Sequence, residues 1–249
     1  MAAAFTGLIA VVTGAGSGIG LATAQKLADG GARVFGLDIS PGAMNGIAEW
    51  IDCDIGSAAS VDAAFALIEA QTDVLDILVN NAGIGAVGSV EEATDDDWAN
   101  VLNINVVGIA RVSRHALPLL RRSRTPAIVN TCSIAATVGL PKRAIYSASK
   151  GAVLSLTRAM AADLINEGIR VNCVNPGTAD TPWVARLLDQ APDPSAERTA
   201  LEQRQPNGRL VTAEEVASAI CFLASPDQMS ATGASLAIDG GMDGIRVAR

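Results

Sequence analysis

The sequence predicts an α/β fold in which a parallel β-sheet of about seven strands has helices on both faces. Short apolar runs recur along the 249 residues, and longer segments with helical periodicity or turn residues separate them. Strands of a parallel sheet are buried on both faces, so they appear in sequence as continuous apolar runs. Alternation of such runs with helices is typical of a doubly wound sheet.

The strands are predicted at the apolar runs, which cover residues 8–13, 33–37, 50–53, 75–79, 127–131, 169–174 and 234–238. Helices are predicted over residues 18–30, 61–72, 95–121, 146–167 and 213–224, with Ser57, Thr94 and Thr212 as caps. Right-handed crossovers between the strands then give a Rossmann-like sheet. We expect one domain over residues 1–249.

Two segments depart from this alternation of strands and helices. Residues 180–208 contain four prolines and mixed charge, which indicates an excursion over a site, a substrate lid, rather than a linker. The connection over residues 40–49 is too short for the helix usually found between the second and third strands.

Composition excludes several classes of function. Apolar residues make up 49% of the chain, and its formal charge of −8 disfavours a nucleic-acid partner. No apolar run approaches the about 18 residues of a membrane-spanning helix, and no basic region precedes the first run, so we expect a cytoplasmic protein. The four cysteines show no paired spacing and His115 is the only histidine, so we expect no metal site and mostly buried free thiols.

A glycine-rich turn follows the first strand and opens the first helix. In that context glycines let the backbone approach a pyrophosphate, and the helix N-terminus supplies free N–H donors. The turn is also compatible with a purely structural role. The residues predicted to contact a dinucleotide are Gly14, Gly16, Ser17, Gly18, Ile19 and Gly20.

Asp38 ends the second strand about 20 residues further on, where a carboxylate can accept hydrogen bonds from the adenosine ribose. Ser17 and Ile39 beside it are not basic, so a 2′-phosphate would meet only negative charge and NAD is favoured over NADP. Asp54, followed by Ile55, could accept from the adenine amino group or merely cap a helix.

The run Asn80-Asn81-Ala82-Gly83 closes the fourth strand at the edge where such sheets bind ligands. Further along the chain come Asn105, Ser133, Tyr146-Ser-Ala-Ser-Lys150, Asn175-Pro176-Gly177 and Asp239-Gly240-Gly241. In this order and spacing the chain resembles the short-chain dehydrogenase/reductase family over essentially its whole length.

The resemblance implies a catalytic set of Ser133, Tyr146, Lys150 and Asn105. Ser133 would hold the substrate oxygen, and Asn105, placed by a local kink in its helix, would anchor a water relay from Lys150. Asn81, Ala82, Gly83, Pro176, Gly177 and Thr181 would join Tyr146 and Lys150 at the cofactor, with Thr181 on the nicotinamide carboxamide. The resemblance also implies a homotetramer.

The residues themselves support a role for Tyr146. Because Tyr146 and Lys150 are four apart on a helix, they share a face. An ammonium at about 4 Å stabilises a phenolate by about 4 kcal/mol at an effective dielectric constant near 20. Tyr-x-x-x-Lys also occurs as a surface pair, but Tyr146 is the only tyrosine of the chain and follows Ser133 by 13 residues, the family's separation.

Closer resemblance is to a branch with type-2 3-hydroxybutyrate and 2-keto-3-deoxy-L-fuconate dehydrogenases, carried by residues 175–182 and 204–209. It implies an anionic substrate that meets Arg143 and Arg204, with Arg186 one position from a third such arginine. An arginine fork suits a carboxylate, although both arginines could be surface or subunit-interface residues. Trp183 could form a pocket wall or only pack within the lid.

The sequence therefore predicts an NAD-dependent dehydrogenase for the secondary alcohol of a small hydroxy acid or sugar acid. One alternative is an enzyme for a neutral alcohol such as a steroid, cyclic diol or sugar. Another is a non-catalytic NAD-binding sensor, which the intact set of Ser133, Tyr146 and Lys150 disfavours.

Overall fold

The predicted doubly wound parallel sheet is present. The computed structural model describes residues 4–189 and 191–246, so the ends of the predicted domain and Gln190 of the predicted excursion lie outside them. Within that part of the chain, seven parallel strands form one sheet in the order β3-β2-β1-β4-β5-β6-β9. They are β1 Ile9–Thr13, β2 Arg33–Asp38, β3 Glu49–Asp52, β4 Ile77–Asn80, β5 Ala127–Thr131, β6 Arg170–Pro176 and β9 Ser235–Ile238.

Two-residue strands β7 Ala179–Asp180 and β8 Val211–Thr212 pair separately beside this sheet. The helices are α1 Gly18–Asp29, α2 Ala58–Glu69, α3 Asp95–Leu102, α4 Gly108–Leu120, α5 Ala144–Leu164, α6 Pro182–Asp189, α7 Pro194–Gln203 and α8 Ala213–Ala224. The caps predicted at Ser57, Thr94 and Thr212 are confirmed, since each side chain accepts a hydrogen bond from the first turn of its helix.

The core lies on both faces of the sheet. Side chains alternate along β1, so Val11 packs with α2, α4 and α5 on one face, while Ala10 and Val12 pack with α1 and α8 on the other. Both faces are therefore covered, which explains the continuous apolar strands. No helix in the described residues is long and apolar enough to cross a membrane.

The sequence prediction was wrong in detail at two places. The helix predicted over residues 95–121 is two helices, α3 and α4, joined by a π-helical turn, Asn103–Val107. The excursion over residues 180–208, for which no helices were predicted, contains α6 and α7. These helices share a small apolar cluster of Val184, Leu188, Leu201 and Leu210 that is separate from the two main cores.

The strand order positions the ligand site. From β1 the chain runs outward through β2 to β3, and then returns to the other side of β1 at β4. The loops after β1 and β4 therefore leave in opposite directions and open a crevice at the carboxyl ends of the strands.

Candidate active site

A cavity of about 740 Å³ occupies this crevice. It reaches from β2 to the excursion, because its walls include residues from β2, the loop after β4, β5, α5, β6 and α6. The predicted site residues that line it are Gly14, Ser17, Gly18, Ile19, Asp38, Asp54, Ile55, Asn81, Ala82, Gly83, Ser133, Arg143, Tyr146, Lys150, Pro176, Gly177, Thr181, Trp183, Arg186 and Arg204. Gly16, Gly20 and Asn105 lie behind the wall.

The glycine turn fits a dinucleotide. Gly14 has φ of 66°, and a Cβ there would lie 2.9 Å from the Ala82 Cα. At Gly20 a Cβ would overlap the Gly14 carbonyl oxygen, so Gly20 permits close contact between α1 and the turn. Ser17 is the N-cap of α1, but its side chain makes no capping hydrogen bond. Its hydroxyl and the first-turn N–H groups are therefore donors available to a pyrophosphate.

Asp38 is held at the end of β2 by backbone groups. Its two carboxylate oxygens accept hydrogen bonds from Gly16 N–H at 2.9 Å and from Ser40 N–H at 3.3 Å. The Trp50 indole donates to the Asp38 carbonyl at 3.1 Å. The carboxylate is thus fixed at the cavity wall, with spare lone pairs for hydroxyl donors.

Thr13 ties the two loops of the crevice together, and the sequence analysis missed this role. Its hydroxyl oxygen accepts hydrogen bonds from Asn81 N–H at 2.9 Å and Ala82 N–H at 3.0 Å. The Asn81 side chain donates back to the Thr13 carbonyl at 3.1 Å. Because Thr13 is buried, this contact fixes the distance between the glycine turn and the Asn81-Ala82-Gly83 wall.

Asn105 lies in the π-helical turn, at the place where the family resemblance implies a local kink. Its side-chain amide donates to the Ile84 carbonyl at 2.9 Å and to Ser149 Oγ at 3.1 Å, and its oxygen accepts from Ile84 N–H at 2.8 Å. Asn105 therefore positions the segment behind Gly83. A water relay from Lys150 stays a prediction.

Ser133, Tyr146 and Lys150 converge on one region of the cavity. The Lys150 ammonium lies 5.7 Å from the centroid of the Tyr146 ring and donates to the Thr131 carbonyl at 2.9 Å. Lys150 is only 6% exposed and makes no salt bridge within the described residues. The Thr131 carbonyl therefore holds the Lys150 side chain beside the Tyr146 ring.

Ser133 is presented by the end of β5. It caps a short 3₁₀ turn, Ile134–Ala136, and its Oγ accepts from Ala135 N–H at 3.1 Å. The hydroxyl proton is then free to point into the cavity, toward a substrate oxygen.

Two of the four thiols, those of Cys53 and Cys132, line the cavity, and the pKa of each is raised. Hydrogen bonding with Cys173 and burial raise the pKa of Cys132, whose thiol donates to the Lys150 carbonyl at 3.1 Å. Burial raises the pKa of Cys53 to about 11 and that of Cys221 to about 12. Cys53, Cys132 and Cys173 are buried and Cys221 is half-buried, and all four are free, as the sequence predicts.

The predicted substrate residues lie at the end of the cavity next to the excursion. Arg143 precedes α5 and donates to the Ala86 carbonyl at 3.1 Å. Burial first, and then the like charge of Arg204, lower the pKa of Arg143 from the usual arginine value, although a guanidinium stays charged. Arg186 and Arg204 are exposed and also line the cavity.

Several other wall residues were missed by the sequence analysis. They include the Thr131 carbonyl that receives Lys150, together with Ile84, Gly85, Leu140, Thr178 and Leu201. A backbone carbonyl such as that of Thr131 leaves no trace in the sequence, because every residue type has one. Gly85 is different, because it lies two residues after Gly83 and its spacing from the Asn80–Gly83 run is visible in the sequence.

A crevice of this kind, with a glycine turn at one end and a phenol beside a buried ammonium at the other, defines an oxidoreductase that uses a nicotinamide cofactor. Residues 14–243 match the family model described as enoyl-(acyl carrier protein) reductase. The chain belongs to the short-chain dehydrogenase/reductase family, and it is an enzyme that acts on CH–OH groups or the corresponding carbonyls.

Known relatives cover nearly the whole chain. It is 41% identical to cis-4-hydroxycyclohexanecarboxylate dehydrogenase of Sinomonas cyclohexanicum, over 98% of this chain and 100% of that protein. It is 38% identical to 2-(S)-hydroxypropyl-CoM dehydrogenase 3 of Xanthobacter autotrophicus, over 95% and 97% of the two chains. The structure of Thermoplasma acidophilum aldohexose dehydrogenase superposes with a TM-score of 0.91 at 33% identity, covering 98% of each chain.

Proposed function

We propose that this protein is an NAD-dependent dehydrogenase that oxidises the secondary alcohol of a small hydroxy acid. The observation that carries the proposal is the pair of guanidinium groups, Arg143 and Arg204, on the wall of the cavity that also holds Tyr146 and Ser133. Burial and then the like charge of Arg204 lower the pKa of Arg143, and neither guanidinium has a salt-bridge partner among the described residues. An anionic substrate group would relieve that repulsion.

The proton chemistry follows from the chain's own residues. When bound, the nicotinamide supplies two-electron chemistry by accepting or returning hydride at carbon. Tyr146 would take the hydroxyl proton during oxidation and return it during reduction. Ser133 would orient the substrate oxygen by a hydrogen bond, and Lys150 would hold charge next to the phenol.

NAD rather than NADP is proposed from Asp38. Its fixed carboxylate can accept from two ribose hydroxyl groups but would repel a 2′-phosphate. Ile39, which follows it, is 73% exposed and carries no charge. Neither Ile39 nor Ser17 therefore supplies a basic side chain that could reverse the preference.

Asp38→Ala is expected to lower kcat/KM for NAD by about tenfold or more, since a charged acceptor of hydrogen bonds is lost. The NAD-to-NADP ratio of kcat/KM should fall with it. Steady-state kinetics with both cofactors measure the change, and Asp29→Ala, at the exposed far end of α1, is the matched control. An unchanged cofactor ratio would remove Asp38 from this role.

The acid-specific part of the proposal is supported by a relative whose name states a hydroxycyclohexanecarboxylate substrate. Arg143→Ala is expected to lower kcat/KM for such an acid by about ten- to hundredfold, since a hydrogen-bonded charge pair is lost. Arg204→Ala should act in the same direction and less strongly, because Arg204 is exposed.

The experiment measures the formation of reduced nicotinamide cofactor from NAD with each of a panel of hydroxy acids, aldonic acids, sugars and neutral cyclic alcohols. Each active compound is then repeated with both arginine variants. Activity confined to neutral alcohols or sugars, and indifferent to both arginines, would contradict the acid proposal. It would favour a neutral substrate, as the name of the aldohexose dehydrogenase suggests for that structural neighbour.

Three further expectations stay proposals. Residues 180–208 are proposed as a substrate lid, supported by their cavity-lining side chains and their separate apolar cluster. Homotetrameric assembly and a cytoplasmic location are expected from the sequence, and sedimentation or light scattering of the purified protein would test the former.

A further inference from the structure

Gly85, in the loop after β4, packs against Trp183 of the excursion. A Cβ built on Gly85 would overlap Cζ2 of Trp183 and would lie 2.7 Å from its Cε2 and 3.0 Å from its Cη2. All three of the nearest atoms belong to this one indole. The Trp183 ring therefore rests directly on the Gly85 backbone.

Backbone conformation does not explain this glycine. Gly85 is absent from the glycines of positive φ, unlike Gly88 three residues later with φ of 146°. An alanine would thus fit the local backbone, and the obstacle to it is the indole. The absence of a side chain at position 85 is therefore what allows the Trp183 ring to contact the backbone there.

The same indole also contacts Arg143. The guanidinium carbon of Arg143 lies 5.9 Å from the centroid of the Trp183 ring, within the range of a cation–π interaction. The guanidinium donates to the carbonyl of Ala86, the residue after Gly85. Backbone pairing between Gly88 and Arg143 joins the loop to the start of α5. Arg143 is thus held between the loop after β4 and the first turn of α6.

We infer that Gly85 is a specificity-determining residue: it leaves the space in which the Trp183 indole packs, and that indole positions the Arg143 guanidinium for an acidic substrate group. The inference rests on the proposed role of Arg143. Trp183 acts here as a positioning residue. A side chain at position 85 would displace the indole, and Arg143 would lose its cation–π contact while keeping its charge and its hydrogen bond to the Ala86 carbonyl.

The test is Gly85→Ala, assayed with cis-4-hydroxycyclohexanecarboxylate and with cyclohexanol as a neutral probe. KM for the acid is expected to rise about five- to thirtyfold, the change expected when a partly desolvated cation–π contact is lost. KM for cyclohexanol and kcat for both should change little. Gly139→Ala is the matched control, since a Cβ there meets nothing within 4 Å and the residue is exposed.

Tryptophan fluorescence gives a second readout that needs no turnover. Gly85→Ala should shift the emission to longer wavelength and increase quenching by acrylamide as the indole leaves its contact. In a Trp183→Phe background, where the smaller ring leaves room for a Cβ, Gly85→Ala should change neither the emission nor KM for the acid. This double-mutant cycle separates displacement of Trp183 from a general effect on folding.

The failures are distinguishable. An unchanged emission in Gly85→Ala, or a changed emission without a selective rise in KM for the acid, overturns the inference and leaves the proposed function standing if Arg143→Ala still impairs the acid. No acid-specific effect of Arg143→Ala overturns the proposed function, and the inference falls with it.

Discussion

Tyr146→Phe is expected to lower kcat by about 10²- to 10⁴-fold while reduced nicotinamide nucleotide still binds. The substitution removes only the phenolic oxygen and keeps the ring that packs 5.7 Å from the Lys150 ammonium. With no group left at that position to accept the proton of the substrate hydroxyl, hydride transfer is slowed, because the carbonyl product forms only when that proton also leaves. Single-turnover kinetics and cofactor fluorescence measure the two effects separately.

Ser147→Ala is the matched control, because it removes a hydroxyl from the next residue of the same helix. Ser147 Oγ has no hydrogen-bond partner in the described structure and does not line the cavity of Tyr146, so turnover should be unchanged. If Tyr146→Phe retained turnover within about tenfold of the parent enzyme, another group would have to transfer the proton.

The chemical end of the site could be predicted because its residues are fixed by short-range spacing. Tyr146 and Lys150 are one helical turn apart, and a helix places such residues on one face whatever surrounds them. The glycine turn is equally local, since strand, turn and helix are contiguous between β1 and α1. The structure places Tyr146 and Lys150 around the same cavity as Gly14 and Gly18 of the glycine turn.

Long-range contacts explain what the sequence could not supply. Lys150 is oriented by the Thr131 carbonyl, which any residue would offer, and Asn105 reaches its site through a π-helical turn that no periodicity in residues 95–121 reveals. The two helices of the excursion were missed because prolines obscured them. Pro182 and Pro194 instead stand at helix starts, where proline is tolerated.

Substrate choice is encoded differently from the fold. Proteins named for hydroxycyclohexanecarboxylate, hydroxypropyl-CoM and an aldohexose match this chain over nearly its whole length. On such a fold, the side chains around the cavity determine the function, while the cofactor-binding part of the fold stays the same. Arg143, Trp183 and Gly85 come from three separate segments of the chain, so under the proposed function small changes where they meet would alter the substrate without altering the sheet.

Arg170→Met is expected to lower the free energy of unfolding by about 3 kcal/mol, the largest stability effect that we predict. Arg170 begins β6 inside what the sequence presents as an apolar run, yet its side chain is buried. The guanidinium donates to the Leu223 carbonyl at 2.6 Å, to Ser225 at 3.0 Å and to Ala224 at 3.2 Å. These are carbonyl oxygens at the C-terminus of α8, where the helix dipole favours a cation.

Burial lowers the pKa of Arg170, so desolvation opposes the charge, and the hydrogen bonds must outweigh that cost for the side chain to remain inside. Methionine would fill much of the volume but leave the Leu223 and Ala224 carbonyl groups without the donor that Arg170 supplies, while the Ser225 carbonyl keeps its hydrogen bond from Gln228 N–H at 3.0 Å. Urea unfolding would measure the loss, with Arg121→Met as control, because Arg121 forms only an exposed ion pair with Glu167. Equal unfolding free energies for the two variants would show that the α8 carbonyls find other donors, and that the buried charge contributes no net stability.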